Sequence, residues 1–158
     1  MKRALTIALL ALVALVAKPA PAAADATAFY GFSPTVSTRS TTGFSIGVSL
    51  LIVGFEFEYG HINEDSPKVA PGLTTGNFNV LVMTPTKFQI YATAGGGLGH
   101  ETLLATNDNF FETNIGGGVK IPIVGPFRVR IDYRALHLTG TPIQKNVQRF
   151  YAGINFAF

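Results

Sequence analysis

The sequence predicts an all-β chain: an eight-stranded antiparallel up-and-down transmembrane β-barrel preceded by a cleavable signal peptide. Three observations carry this. Residues 1–24 form an apolar leader with a small-residue end, eight runs of strand-forming residues follow with turn chemistry between them, and the clearest of these runs divide into an apolar and an ionic face. Of 158 residues, 47% are hydrophobic and only 13% charged, a composition that argues against disorder. The chain has no cysteine, which removes disulfide frameworks, thiolate zinc sites and cysteine nucleophiles. The net charge of +3 is no sign of a nucleic-acid partner, because it comes from Lys2, Arg3 and Lys18; without them nine basic residues face nine acidic ones.

Those three cations belong to the leader. Met1-Lys2-Arg3 precedes fourteen residues, Ala4 to Ala17, that are almost all Ala, Leu, Val or Ile, and an A-x-A site follows at Ala22 to Ala24. This is the layout of a secretory signal peptide. A membrane-crossing helix needs about 20 apolar residues, and Lys18-Pro19 breaks the run first. The expected division is 1–24 signal peptide and 25–158 barrel domain, exported and formally neutral.

The expected strands are Ala26 to Ser37, Gly43 to Leu50, Val53 to His61, Asn77 to Thr84, Lys87 to Leu98, Phe110 to Ile121, Phe127 to Leu138 and Val147 to Phe158. Each is dense in Phe, Tyr, Val, Ile, Thr and Gly, and no sustained helical period competes. After strands two, four and six the connections are tight: Leu51-Ile52, Pro85-Thr86 and Pro122 to Pro126. After strands three, five and seven they are expected to be long and polar, carrying Asn63 to Pro67, Asn107-Asp108-Asn109 and Thr139 to Pro142. Short turns on one rim and long loops on the other are the pattern of a membrane barrel. Glu64, Asp65, Lys68, Glu101, Asp108 and Lys145 are placed in the loops, a mixed set with no nucleic-acid signal.

Alternate side chains of a strand face opposite ways. In strands two, three, four, seven and eight one parity comprises twenty residues, all apolar or aromatic, among them Phe44, Phe55, Phe57, Val80, Ile131 and Ile154; on the other, seven of eighteen are charged. A soluble, lipocalin-like carrier with the apolar set inside is the alternative that alternation alone permits. It is disfavoured because eight strands enclose an interior only just wide enough to be filled by side chains, and twenty large apolar groups overfill it. Aromatic bands near both ends of the apolar face also favour lipid outside.

The ionic parity then forms a lumenal network. Strands three and seven stand on opposite walls, so Glu56 and Glu58 project toward Arg128, Arg130 and Arg134, with Asp132, Glu112 and Arg149 able to join. Guanidinium groups suit this role through bidentate pairing with carboxylates. A filled lumen implies a plug, or at most a proton- or ion-sized path.

The leader, the strand count and the terminal stretch Arg149 to Phe158 resemble the small outer-membrane β-barrel proteins of the OmpA/OmpX type. Their last strand ends in an aromatic residue with apolar residues at alternate positions before it; Phe150, Ile154, Phe156 and Phe158 match, with Ala152 as a small member. The resemblance implies an outer-membrane location in a Gram-negative-type envelope, with outer-membrane lipid as surroundings. It also implies that this strand is read by the barrel assembly machinery and that periplasmic chaperones escort the chain. No peptidoglycan-binding sequence follows, so wall anchoring is not expected.

His137-Leu138-Thr139 is similar to the His-x-Ser element of the PagL-type lipid A deacylases, which are also eight-stranded barrels. That chemistry needs a hydroxyl nucleophile, a His base and an orienting carboxylate. Here the hydroxyl is Thr139, Gly140 follows it, and strand eight holds no acid between Val147 and Phe158. The expected reading is therefore non-catalytic, with a deacylase-like hydrolase on His137 and Thr139 as an alternative. Gly95 to Gly99 lacks the Lys-Ser/Thr and the helix of a phosphate loop. His61, His100 and His137 have no converging ligand set, so no metal or cofactor is expected. The expected role is structural or interactive, with the external loops as binding surface for an unidentified ligand.

Overall fold

The computed structural model describes residues 23–103 and 106–158. Eight antiparallel strands close into a barrel in sequence order, β1 Ala23–Ser33, β2 Arg39–Leu50, β3 Val53–Ile62, β4 Gly72–Met83, β5 Gln89–Leu103, β6 Thr106–Val124, β7 Phe127–Leu138 and β8 Asn146–Ala157, with β1 pairing β8. Closure leaves no free sheet edge. Residues 1–22 of the expected signal peptide lie outside the described residues. β1 begins at Ala23, ahead of the strand start expected at Ala26, and Ala24 and Phe158 exchange backbone hydrogen bonds of 3.0 and 2.9 Å.

Ala23, Phe158 and the connections 51–52, 84–88 and 125–126 share one end of the barrel, the turn end; 34–38, 63–71 and 139–145 share the other, the loop end. The expected asymmetry fails at one place. Asn107, Asp108 and Asn109 are not a loop but belong to β6, paired with Thr102, Glu101 and His100 of β5. Glu101 and Asp108 are likewise strand residues. A polar run reads as a turn, yet each of these three residues pairs with one of β5, and the hairpin simply extends past the apolar belt. β6 has 19 residues, whereas a tilted membrane strand needs about 9–11.

Other boundaries move for similar reasons. β1 stops at Ser33 rather than Ser37, and β4 starts at Gly72, not Asn77, because Leu73 to Gly76 pair with Tyr59 to Ile62 of β3. The turn expected over Pro122 to Pro126 shrinks to Gly125-Pro126, with Gly125 in the left-handed region at φ 55°. The ladder shifts register between Pro122 and Val124, where proline has no N–H to donate.

The apolar parity faces outward. Ile131 is 49% exposed and Phe78 73%, while Arg130 and Asn77, the residues just before them, are buried. The lipocalin-like alternative requires the reverse and is overturned. On the inner face, β5 presents Gly95, Gly97 and Gly99; a Cβ on these would strike Asn79, Asn77 and the Phe110 ring, which fold across them. That close approach, not phosphate binding, accounts for the glycine run.

The lumen is layered. Leu81, Met83 and Tyr91 cluster toward the turn end, and Ile62, Leu73, Phe110, Leu136, Leu138 and Val147 toward the loop end. The central charged cluster, Glu56, Glu58, Arg130, Asp132, Arg134 and Arg149, lies between these two apolar layers and is buried from bulk water.

Candidate functional site

The central layer is built from β3, β7 and β8. Glu56 and Glu58 stand two apart on β3, hence on the same face, and Arg130, Asp132 and Arg134 repeat that spacing on β7. Across the lumen Arg130 grips Glu56 with both Nη atoms, Nη2 lying 3.1 Å from Oε1, and its Nη2 also meets Asp132 at 2.9 Å. Arg134 Nε donates to Asp132 Oδ1 at 2.8 Å, and its Nη2 reaches Glu56 at 3.1 Å and Glu58 at 3.3 Å. Arg149 of β8 pairs with Glu58. Three carboxylates thus meet three guanidinium groups, all nearly or fully buried.

Neutral donors complete the network. Tyr91 donates to Asp132 and accepts from Arg130 Nε at 2.7 Å; Tyr151 donates to Glu58 at 2.8 Å; Ser45 donates to Glu56 at 3.0 Å. Arg149 also lies over the stacked rings of Phe29 and Tyr151, 5.5 and 5.6 Å from their centroids. Such satisfaction is what a buried ionic cluster needs to offset desolvation.

Two of the residues assigned to the network from sequence stand apart. Arg128 is half-buried and donates to Gln89 at 2.8 Å. Glu112 is fully buried beside Asn77 and within electrostatic reach of Arg149 and Glu58, but among the described residues no ion pair joins its carboxylate to the cluster. Sequence reasoning missed Tyr91, Tyr151, Ser45 and Asn114, and a second ion pair, Lys120–Asp25 at 2.5 Å, toward the turn end. Parity is the signal that was open to it: Lys120 continues the inward positions Glu112 and Asn114 of β6.

Phe150, Ile154, Phe156 and Phe158 face outward on or just after β8, where Phe150 packs on Tyr133 and Phe32, and Phe156 on Phe127. His61, His100 and His137 also face outward near the loop end, their Nδ1 atoms 2.9, 2.8 and 2.8 Å from Thr74 Oγ1, Asn109 Oδ1 and Asn146 Oδ1. Among the described residues no three His, Cys, Asp or Glu are placed to hold a metal ion. Thr139 gives its hydroxyl to the Phe111 carbonyl at 2.6 Å. Thus His137 and Thr139 each engage another strand.

No family model matches this chain, and no curated protein matches its sequence. Solved structures do match. The N-terminal β-barrel domain of Pseudomonas aeruginosa OprF is similar at TM-score 0.66 and 19% identity, over 86% of this chain and 97% of that one. Neisserial surface protein A gives 0.64 and 16%, over 87% and 96%. The outer membrane enzyme PagL gives 0.52 and 14%, over 84% and 98%. The likeness shows the fold, that of the small eight-stranded outer-membrane β-barrels.

Proposed function

We propose that the chain is an integral outer-membrane protein with a structural or interaction role, its lumen plugged and its loop end exposed as a binding surface. One observation carries the reading: among the described residues, the outward strand positions hold no Asp, Glu, Lys or Arg, while the inward positions hold a balanced ionic cluster. A belt of Phe, Tyr, Val and Ile around a closed barrel is stable in hydrocarbon and would be an aggregation hazard in water. Aromatic residues frame the belt, Phe55, Phe127 and Phe156 toward the turn end and Tyr30, Tyr59 and Tyr133 toward the loop end. The partners in this reading are outer-membrane lipid, periplasmic chaperones, and the barrel assembly machinery acting on Phe150, Ile154, Phe156 and Phe158.

Fractionation tests it. The protein is expected in the outer-membrane pellet, released by detergent, and migrating faster on a gel unheated than boiled. Recovery in the periplasmic supernatant without detergent rejects the proposal.

The role proposed is non-catalytic. The Thr139 hydroxyl is committed to the Phe111 carbonyl and the His137 Nδ1 to Asn146, an amide rather than a carboxylate, so neither a nucleophile–base pair nor an orienting acid is supported. Mass analysis of lipid A from overexpressing cells is expected to show unchanged acyl chains. Loss of an acyl chain that is abolished by His137→Ala or Thr139→Ala would establish the hydrolase instead.

A further inference from the structure

The outer wall carries a cleft of about 410 Å³ over β6, β7 and β8, near the loop end. Its centre is Ala135, the middle residue of a three-by-three grid fixed by the strand registers. The row on the loop side is polar: Thr113, His137 and Asn146. Beside Ala135 stand Ile115 and Gln148; the row below holds Gly117 and Tyr133, whose ring packs at the margin of the cleft on Phe150, centroids 4.6 Å apart. Polarity therefore changes across one cleft, from hydrogen-bonding at the top to aromatic and aliphatic at the bottom.

That gradient coincides with the edge of the apolar belt. In a bilayer this depth is occupied by the junction between headgroup and chains, where acyl carbonyls sit above methylenes. The donors match. Asn146 commits its Oδ1 to His137, leaving its NH₂ to donate; Gln148 presents another amide and Thr113 a hydroxyl. Acyl carbonyls are acceptors only. No Lys, Arg, Asp or Glu lines the cleft, so it has nothing with which to read headgroup charge.

We propose that this cleft holds one membrane lipid by the carbonyls of its acyl linkages, with a chain running down over Ala135 between Ile115 and Tyr133, whatever its headgroup. The site rests on the membrane reading above.

The full barrel is reconstituted in nanodiscs of a diester phosphatidylcholine mixed equally with its dialkyl ether analogue, then transferred to detergent and read by native mass spectrometry. One retained diester lipid per barrel is expected, favoured over the ether by about tenfold or more, as carbonyl hydrogen bonds give. Diester phosphatidylglycerol is expected to be retained equally. Ala135→Trp fills the cleft from the outside and is expected to abolish retention while leaving heat-modifiable migration intact; Ala92→Trp, outward on β5, retains the lipid. Equal retention of ester and ether lipids, or retention by Ala135→Trp at the unmodified level, overturns the proposal. A chain that does not enter nanodiscs at all overturns the membrane reading and the site with it.

Discussion

Glu56→Gln destabilises the barrel by about 3–5 kcal/mol, the cost of leaving a buried charge without its partner. Glu56 is 4% exposed and takes hydrogen bonds from Arg130, Arg134 and Ser45, so its charge is matched by protein groups rather than by bulk solvent. The substitution keeps the side chain's volume and removes its charge, leaving three guanidinium groups facing Glu58 and Asp132. Urea titration in detergent, read by the gel shift between folded and unfolded bands, measures the loss. The double substitution Glu56→Gln with Arg130→Gln restores the charge balance and is expected to lose less than the two single losses added, because the pair is coupled. A single-mutant loss below about 1 kcal/mol would show that the cluster is solvated and its pairing energetically idle.

Ile131→Arg costs about 2–4 kcal/mol in a bilayer, the penalty for a cation near the midplane of a lipid-facing wall. Ile131 pairs with Val119 and Ala152, away from both ends of β7, and points outward. Phe127→Arg, at the turn end of the same strand, is expected to cost only about 0–1 kcal/mol by the same depth dependence. Folding into vesicles as a function of urea gives both numbers. Equal effects at the two depths would show that this wall does not face hydrocarbon. The comparison is internal to one strand, and the adjacent Arg130, fully buried in the lumen, shows how sharply one residue step changes the surroundings.

The wall orientation was legible because it follows from local geometry. Phe55 and Glu56 are neighbours in sequence and must point to opposite faces of any strand that holds them. The tight turn at Leu51-Ile52 was legible as well, since it interrupts that alternation, whereas the turn expected over Pro122 to Pro126 narrowed to Gly125-Pro126 because the strand runs on past Pro122. The β5–β6 hairpin was not: Asn107 to Asn109 are polar because they rise beyond the belt, and polarity marks exposure to water rather than the end of a strand.

Composition and alternation thus determined the strand count, the two faces and the inward residues of the central strands. Which inward residues meet was decided only by closure. Lys120 and Asp25 are 95 residues apart, and Glu56 and Arg130 are 74; neither pair shares a strand-to-strand register. Their encounter depends on the accumulated stagger of all eight pairings, which sets the height at which each residue enters the lumen. The same stagger leaves Glu112 without the ion pairs that Glu58 makes with Arg134 and Arg149, and brings small Ala135 between larger neighbours to open the outer cleft. Parity is a property of two adjacent residues, whereas height within a closed barrel is a property of the whole sheet.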